Sequence, residues 1–162
     1  MRKLMSWLVV SVLFLFLCSS TFATEVIIPG ERVGRMKIGI SIDDVYQTLG
    51  QPEIDPIPEK EMDYFVYYDR HKMVIGVTIT TQKVAEIAVY SPYYKLENEI
   101  TISSTREEVE KVMGKGELKS DQGSELLIYA EHGIAFVLEE DEVIAIGVRE
   151  KGFESINLLV PR

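Results

Sequence analysis

"SIDDVYQTLGQP", Ser41 to Pro52, carries a short helix with both of its ends marked. Ser41 is a favourable N-cap, Asp44 three residues on completes a capping box, and Gly50 with Pro52 supplies the stop. Ile42, Val45, Tyr46 and Leu49 fall on one side of it, so that side must be covered. The same devices return in "TREEVEKVMGKG", Thr105 to Gly116. Thr105 caps, Glu108 completes the box, Val109, Val112 and Met113 make the apolar stripe, and Gly114 and Gly116 stand in the places of Gly50 and Pro52. A helix of about eight residues does not persist alone in water, which predicts a sheet beneath each one.

Strand patterns follow both helices in the same order. After the first come "DYFVYYD" (Asp63 to Asp69), "KMVIGVTIT" (Lys72 to Thr80) and "KVAEIAVYS" (Lys83 to Ser91); after the second come "ELLIYAE" (Glu125 to Glu131), "GIAFVLE" (Gly133 to Glu139) and "EVIAIGVRE" (Glu142 to Glu150). All are rich in β-branched and aromatic residues and are separated by short polar turns. The pattern predicts an α+β fold of two tandem repeats, each a short capped helix packed on an antiparallel three- to four-strand meander. Repeat 1 would occupy residues 24–96, with its helix at about 42–49 and strands at about 63–91. Repeat 2 would occupy 97–162, with its helix at about 106–113 and strands at about 125–150. "PYYKLENE", Pro92 to Glu99, is too short to be a free linker, so the repeats should pack together. "EIDPIPEKEM" (Glu53 to Met62) and "KGELKSDQGS" (Lys115 to Ser124) read as mobile loops, each after the helix stop of its repeat.

Residues 1–23 have the layout of an export signal: basic Arg2 and Lys3, an apolar run from Trp7 to Leu17 broken only by Ser11, then a small polar stretch to Ala23. Cleavage is predicted after Ala23, and the run is short for a span of roughly 20 residues. Lipid attachment at Cys18, the single cysteine, is the lesser alternative because Leu17 precedes it where a small residue is wanted. Cleavage at Ala23 would leave a chain without cysteine, excluding disulfides and thiolate chemistry. Losing Arg2 and Lys3 from the 17 basic residues leaves 15 against 26 acidic ones, a net charge of −11. Nucleic acid is therefore an unsuitable partner, and no stable membrane span is expected after signal cleavage.

"KIGISIDDVYQTLGQPE", with "YFVYYDRHKMVIGVTITTQKVAEIAVYSP" and "ITISSTREEVEKVMGKGE", resembles the CAP-associated N-terminal region. That is a tandem module of secreted or membrane-anchored bacterial proteins, placed ahead of a cysteine-rich-secretory-type CAP domain. No CAP domain is read within these residues, so no activity of that domain is carried over. The run G-x-S-x-x-x-V-x-x-x-L-G-x-P, Gly39 to Pro52, is also similar to SmpA/OmlA-type envelope proteins and to β-lactamase-inhibitor-like folds. The resemblance implies binding to proteins, with no catalytic residues shared.

The site residues follow from chemistry as much as from pattern. Tyr64, Tyr67, Tyr93 and Tyr94 are candidates for protein contact, since alternation sends some of the strand aromatics away from the helix side. Ser41, Gly50, Thr105 and Gly114 are structural. His71 and His132 fall at equivalent turns and read as polar turn residues rather than a metal pair, because a zinc site usually needs three protein ligands. "EEDE", Glu139 to Glu142, lacks the spacing of a calcium loop and reads as a solvated hairpin turn. There is no nucleophile elbow and no glycine-rich phosphate loop, so neither catalytic, cofactor nor metal residues are assigned. The expectation is an exported, acidic, non-enzymatic scaffold or protein-binding module of the bacterial cell envelope, engaging another envelope or secreted protein. The alternative is a protein that binds or hydrolyses cell-wall polymer through surface carboxylates and tyrosines.

Overall fold

The computed structural model describes residues 24–58, 63–121 and 124–154. The expected export signal, its cleavage point and Cys18 lie outside the described residues. The order of elements is β1 (Glu25–Ile28), β2 (Arg32–Val33), β3 (Met36–Lys37), α1 (Ile42–Leu49), β4 (Ile54–Pro58), β5 (Asp63–Tyr68), β6 (Met73–Thr78), β7 (Lys83–Val89) and β8 (Tyr94–Leu96), followed by α2 (Arg106–Met113), β9 (Glu117–Asp121), β10 (Ser124–Tyr129), β11 (Ile134–Glu139) and β12 (Glu142–Arg149).

The expected fold class is corrected here. The described residues are mostly β, with 48% of them in strands, and hold two helices and two sheets, not a pair of helix-plus-meander repeats. Eight strands form one antiparallel sheet in the order β4-β5-β6-β7-β12-β11-β10-β9, and β3-β2-β1-β8 form a second. The physical reason is the seam between β7 and β12. Val89 pairs with Ile146 and Ile87 with Val148, all fully buried, so the edges that separate meanders would leave open are joined into a single core. On the other face of the seam, buried Glu86 meets Arg149 with Oε2 and Nη1 3.7 Å apart.

Three further segments differ from expectation. The supposed loops after the helix stops hold the outer strands β4 and β9. Pro56 and Pro58 disguise β4, yet an outer strand tolerates prolines because half of its N–H groups face away from the sheet. The segment joining the halves also forms a strand: β8 lies parallel to β1, with Val26 beside Lys95 and Ile27 beside Leu96.

Helices and small sheet share one face of the large sheet. Val45 of α1, Val109 of α2, and Ile27, Val33 and Leu96 of the small sheet pack with Val66, Ile75, Phe136 and Leu127 in one cluster. Each helix starts on a hairpin: the Ile42 N–H donates to the Gln82 carbonyl (3.0 Å), and the Arg106 N–H to the Asp141 carbonyl (2.9 Å). Ser41 Oγ accepts the Asp44 N–H at 3.2 Å, and Thr105 Oγ1 accepts the Glu108 N–H at 3.2 Å. Only Thr105 completes the box, its own N–H donating to Glu108 Oε2 at 2.8 Å. "EEDE" is a two-residue hairpin turn with positive φ at Glu140 and Asp141, and Glu139 paired with Glu142.

Candidate functional site

The ends of the two helices are tied to the sheet in the same way. Tyr68 Oη, at the end of β5, donates to the Gly50 carbonyl (3.0 Å), and Tyr129 Oη, at the end of β10, donates to the Gly114 carbonyl (2.7 Å). Gly50 (φ +83, ψ −169) and Gly114 (φ +82, ψ −174) occupy backbone that is essentially reserved for glycine. After each tyrosine the chain makes a 3-10 turn, Asp69–His71 or Ala130–His132. A cavity opens beside each turn, where a helix stops and the small sheet closes the flank.

The cavity at the end of α1 has a volume of about 270 Å³. Val33, Leu49 and Met73 are apolar parts of its lining, and His71, Tyr93 and Tyr94 stand on it, with Glu25 and Arg35 contributing charge. The cavity at the end of α2 is larger, about 410 Å³, and has Glu31, Glu97, His132 and Lys151 on its wall with Ile27, Leu96 and Met113. His71 and His132 therefore belong to separate cavities. Among the described residues no group of three or more His, Cys, Asp or Glu is placed to hold a metal ion.

The four candidate contact tyrosines do not form one patch. Tyr64 is half-buried against the main core and its Oη donates to Gln82 Oε1 at 2.9 Å. Tyr67 lies on the opposite face of the same strand, packed on Phe65, Val74 and Ala88. Tyr93 and Tyr94 do meet, edge to face, with centroids 5.3 Å apart and planes at 90°. Tyr94 is buried and its Oη donates to the His71 carbonyl at 2.8 Å. Burial, helped by the nearby Glu25 charge, pushes the Tyr94 phenol up to about 12, so it stays a neutral donor. Tyr93 is 36% exposed and lines the same cavity.

Glu25 and Arg35 were absent from the sequence-derived candidates. Both come from the N-terminal lead-in, whose hairpin turns are marked by Gly30 and Gly34 but whose facing partner is set by the parallel β1–β8 pairing. Gly34 has φ +54, and a Cβ there would collide with the Glu25 carboxylate folded over it. Neither Glu25 nor Arg35 forms an ion pair among the described residues.

No protein-family model matches the chain, and no curated protein matches it. Solved structures do share its fold. An extracellular protein containing an SCP domain from Bacillus anthracis is similar over 71% of this chain and 44% of its own, at 14% identity and a TM-score of 0.54. A DUF4309-family protein from Bacillus subtilis is similar over 75% of this chain and 88% of its own, at 15% identity and a TM-score of 0.54. A cysteine-rich secretory protein from Staphylococcus aureus is similar over 79% of this chain and 49% of its own, at 13% identity and a TM-score of 0.50. The chain thus spans less than half the length of the first and third, and the likeness is one of fold.

Proposed function

We propose that this chain is an extracytoplasmic, non-enzymatic binding module that holds another envelope or secreted protein, related to the CAP-associated N-terminal region. The observation that carries the reading is Tyr93, an exposed ring braced edge-on by a buried tyrosine that is itself hydrogen-bonded to the backbone. A tyrosine fixed in this way offers contact area at little conformational cost, the property of an interface anchor. The export pattern of residues 1–23 and the extracellular and secretory descriptions of two fold neighbours support the location. The non-enzymatic part rests on the lack of a nucleophile elbow or phosphate loop in the sequence.

The test is crosslinking of the tagged chain in its own cells at native level, followed by mass spectrometry. Capture of one discrete envelope or secreted protein, lost in Tyr93→Ala, is the expected result. Capture of wall polymer alone, or capture unaffected by Tyr93→Ala, would overturn it.

A further inference from the structure

We propose that the cavity beneath Tyr93 is a binding site for a small zwitterion, an amino acid or short peptide carrying both a free ammonium and a free carboxylate. This goes beyond the proposed partner binding and does not depend on it, because the ligand is far smaller than a protein surface. At about 270 Å³ the cavity falls just below the roughly 300–1,000 Å³ of pockets that hold drug-sized molecules, which suits one or two residues.

The charges define the ligand. The Glu25 carboxylate and the Arg35 guanidinium line the same space, yet they pair neither with each other nor with another group among the described residues. A ligand bearing one charge of each sign satisfies both: its ammonium meets Glu25 and its carboxylate meets the forked donors of Arg35. The end of α1 reaches the same cavity through Thr48 and Leu49. Its last turn has no basic residue, so the partial negative charge of its final carbonyls is not offset within the helix and favours the ammonium. The partly exposed Tyr93 ring on the lining can take a cation over its face, and Tyr94, locked onto the His71 carbonyl, keeps that wall fixed. Val33, Leu49 and Met73 supply an aliphatic floor, which points to an aliphatic side chain on the ligand.

The test is calorimetric titration of the chain with leucine, leucyl-alanine, N-acetyl-leucyl-alanine and leucyl-alanine amide. Saturable binding of leucine or leucyl-alanine is expected, with a loss of about tenfold or more when either end is blocked. Glu25→Gln should abolish the discrimination against the acetylated peptide, and Arg35→Gln the discrimination against the amide. Whichever of leucine and leucyl-alanine binds tighter tells a free amino acid from a peptide as the source. No saturable binding, or equal affinity for the free and blocked forms, overturns the site. The blocked ligands keep the result decisive should a variant fold poorly. Partner capture is read separately, so Glu25→Gln leaving capture intact while losing the ligand separates this site from the protein-binding reading.

Discussion

Lys72 and Gly133 close the same 3-10 turn in the two halves of the large sheet, at φ +49 and φ +74. Their carbonyls do the same work, accepting the N–H groups of Tyr90 and Arg149 at 3.1 Å each. What differs is the neighbour. The β1–β2 hairpin sits on the second turn, where Gly30 N–H also donates to the Gly133 carbonyl (3.1 Å), and a Cβ on Gly133 would collide with the Gly30 backbone. The first turn instead receives Tyr94, whose Oη donates to the His71 carbonyl, and Lys72 reaches out to Asp69 with Nζ and Oδ1 2.7 Å apart. A shared backbone geometry thus leaves the residue choice to whatever docks against it, and the same unequal docking makes the two cavities different in size and charge.

The sharpest way to break this comparison is to exchange the two residues. Gly133→Ala should lose about 3 kcal/mol, from left-handed strain together with overpacking against Gly30 and Arg149. Lys72→Gly should stay within about 0.5 kcal/mol, since an exposed ion pair with Asp69 and an exposed cation–π contact with Tyr90 are lost while left-handed strain is relieved. Chemical denaturation measures both, and equal effects would refute the docking difference.

The helix ends should behave alike in the two halves. A Cβ at Gly50 or Gly114 meets nothing within 4 Å, so any cost is backbone strain alone. Gly50→Val and Gly114→Val are each expected to cost about 2 kcal/mol. A cost seen at one position only would show that the two ends are not equivalent.

The alkaline limb reports on the buried tyrosines. Burial is the chief cause that pushes both Tyr68 and Tyr94 up to about 12, from 10 in the unfolded chain. A raised folded value means that their contribution is complete below pH 10 and is lost as pH rises through 12. The cost at pH 11 is about 1 kcal/mol for each tyrosine. Denaturation at pH 9 and pH 11 measures it, and Tyr94→Phe should flatten the fall. The caps should also differ: Thr105→Ala should cost about 1 kcal/mol and Ser41→Ala somewhat less, because only Thr105 has the reciprocal Glu108 bond.

Legibility in the sequence followed the range of the interaction. Ser41 with Asp44 and Thr105 with Glu108 are four-residue signals, and each is enough to mark a helix start. The six apolar strand patterns were readable because β-branched and aromatic runs are local too. The β7–β12 seam was not readable: Ile87 and Ile146 look like any buried strand residues, and nothing in either names the other as partner. Pro56 and Pro58 argued for a loop where an outer strand exists. Glu25 and Arg35 escaped notice because their cavity is assembled from five separate stretches of chain, and only the fold brings them to Tyr93 and Tyr94. Tyr64 and Tyr67 are neighbours in the aromatic count of β5 and turned to opposite faces of it.

The most direct test of the functional account is a photo-crosslinking amino acid placed at Tyr93 and, separately, at Leu118. The two positions are similarly exposed, at 36% and 38%, but Leu118 lies on β9 at the outer margin of the large sheet. Irradiation in the producing cells should give a discrete protein adduct from position 93 and none from 118. An adduct of equal yield from 118, or none from 93, would contradict the binding corner proposed here.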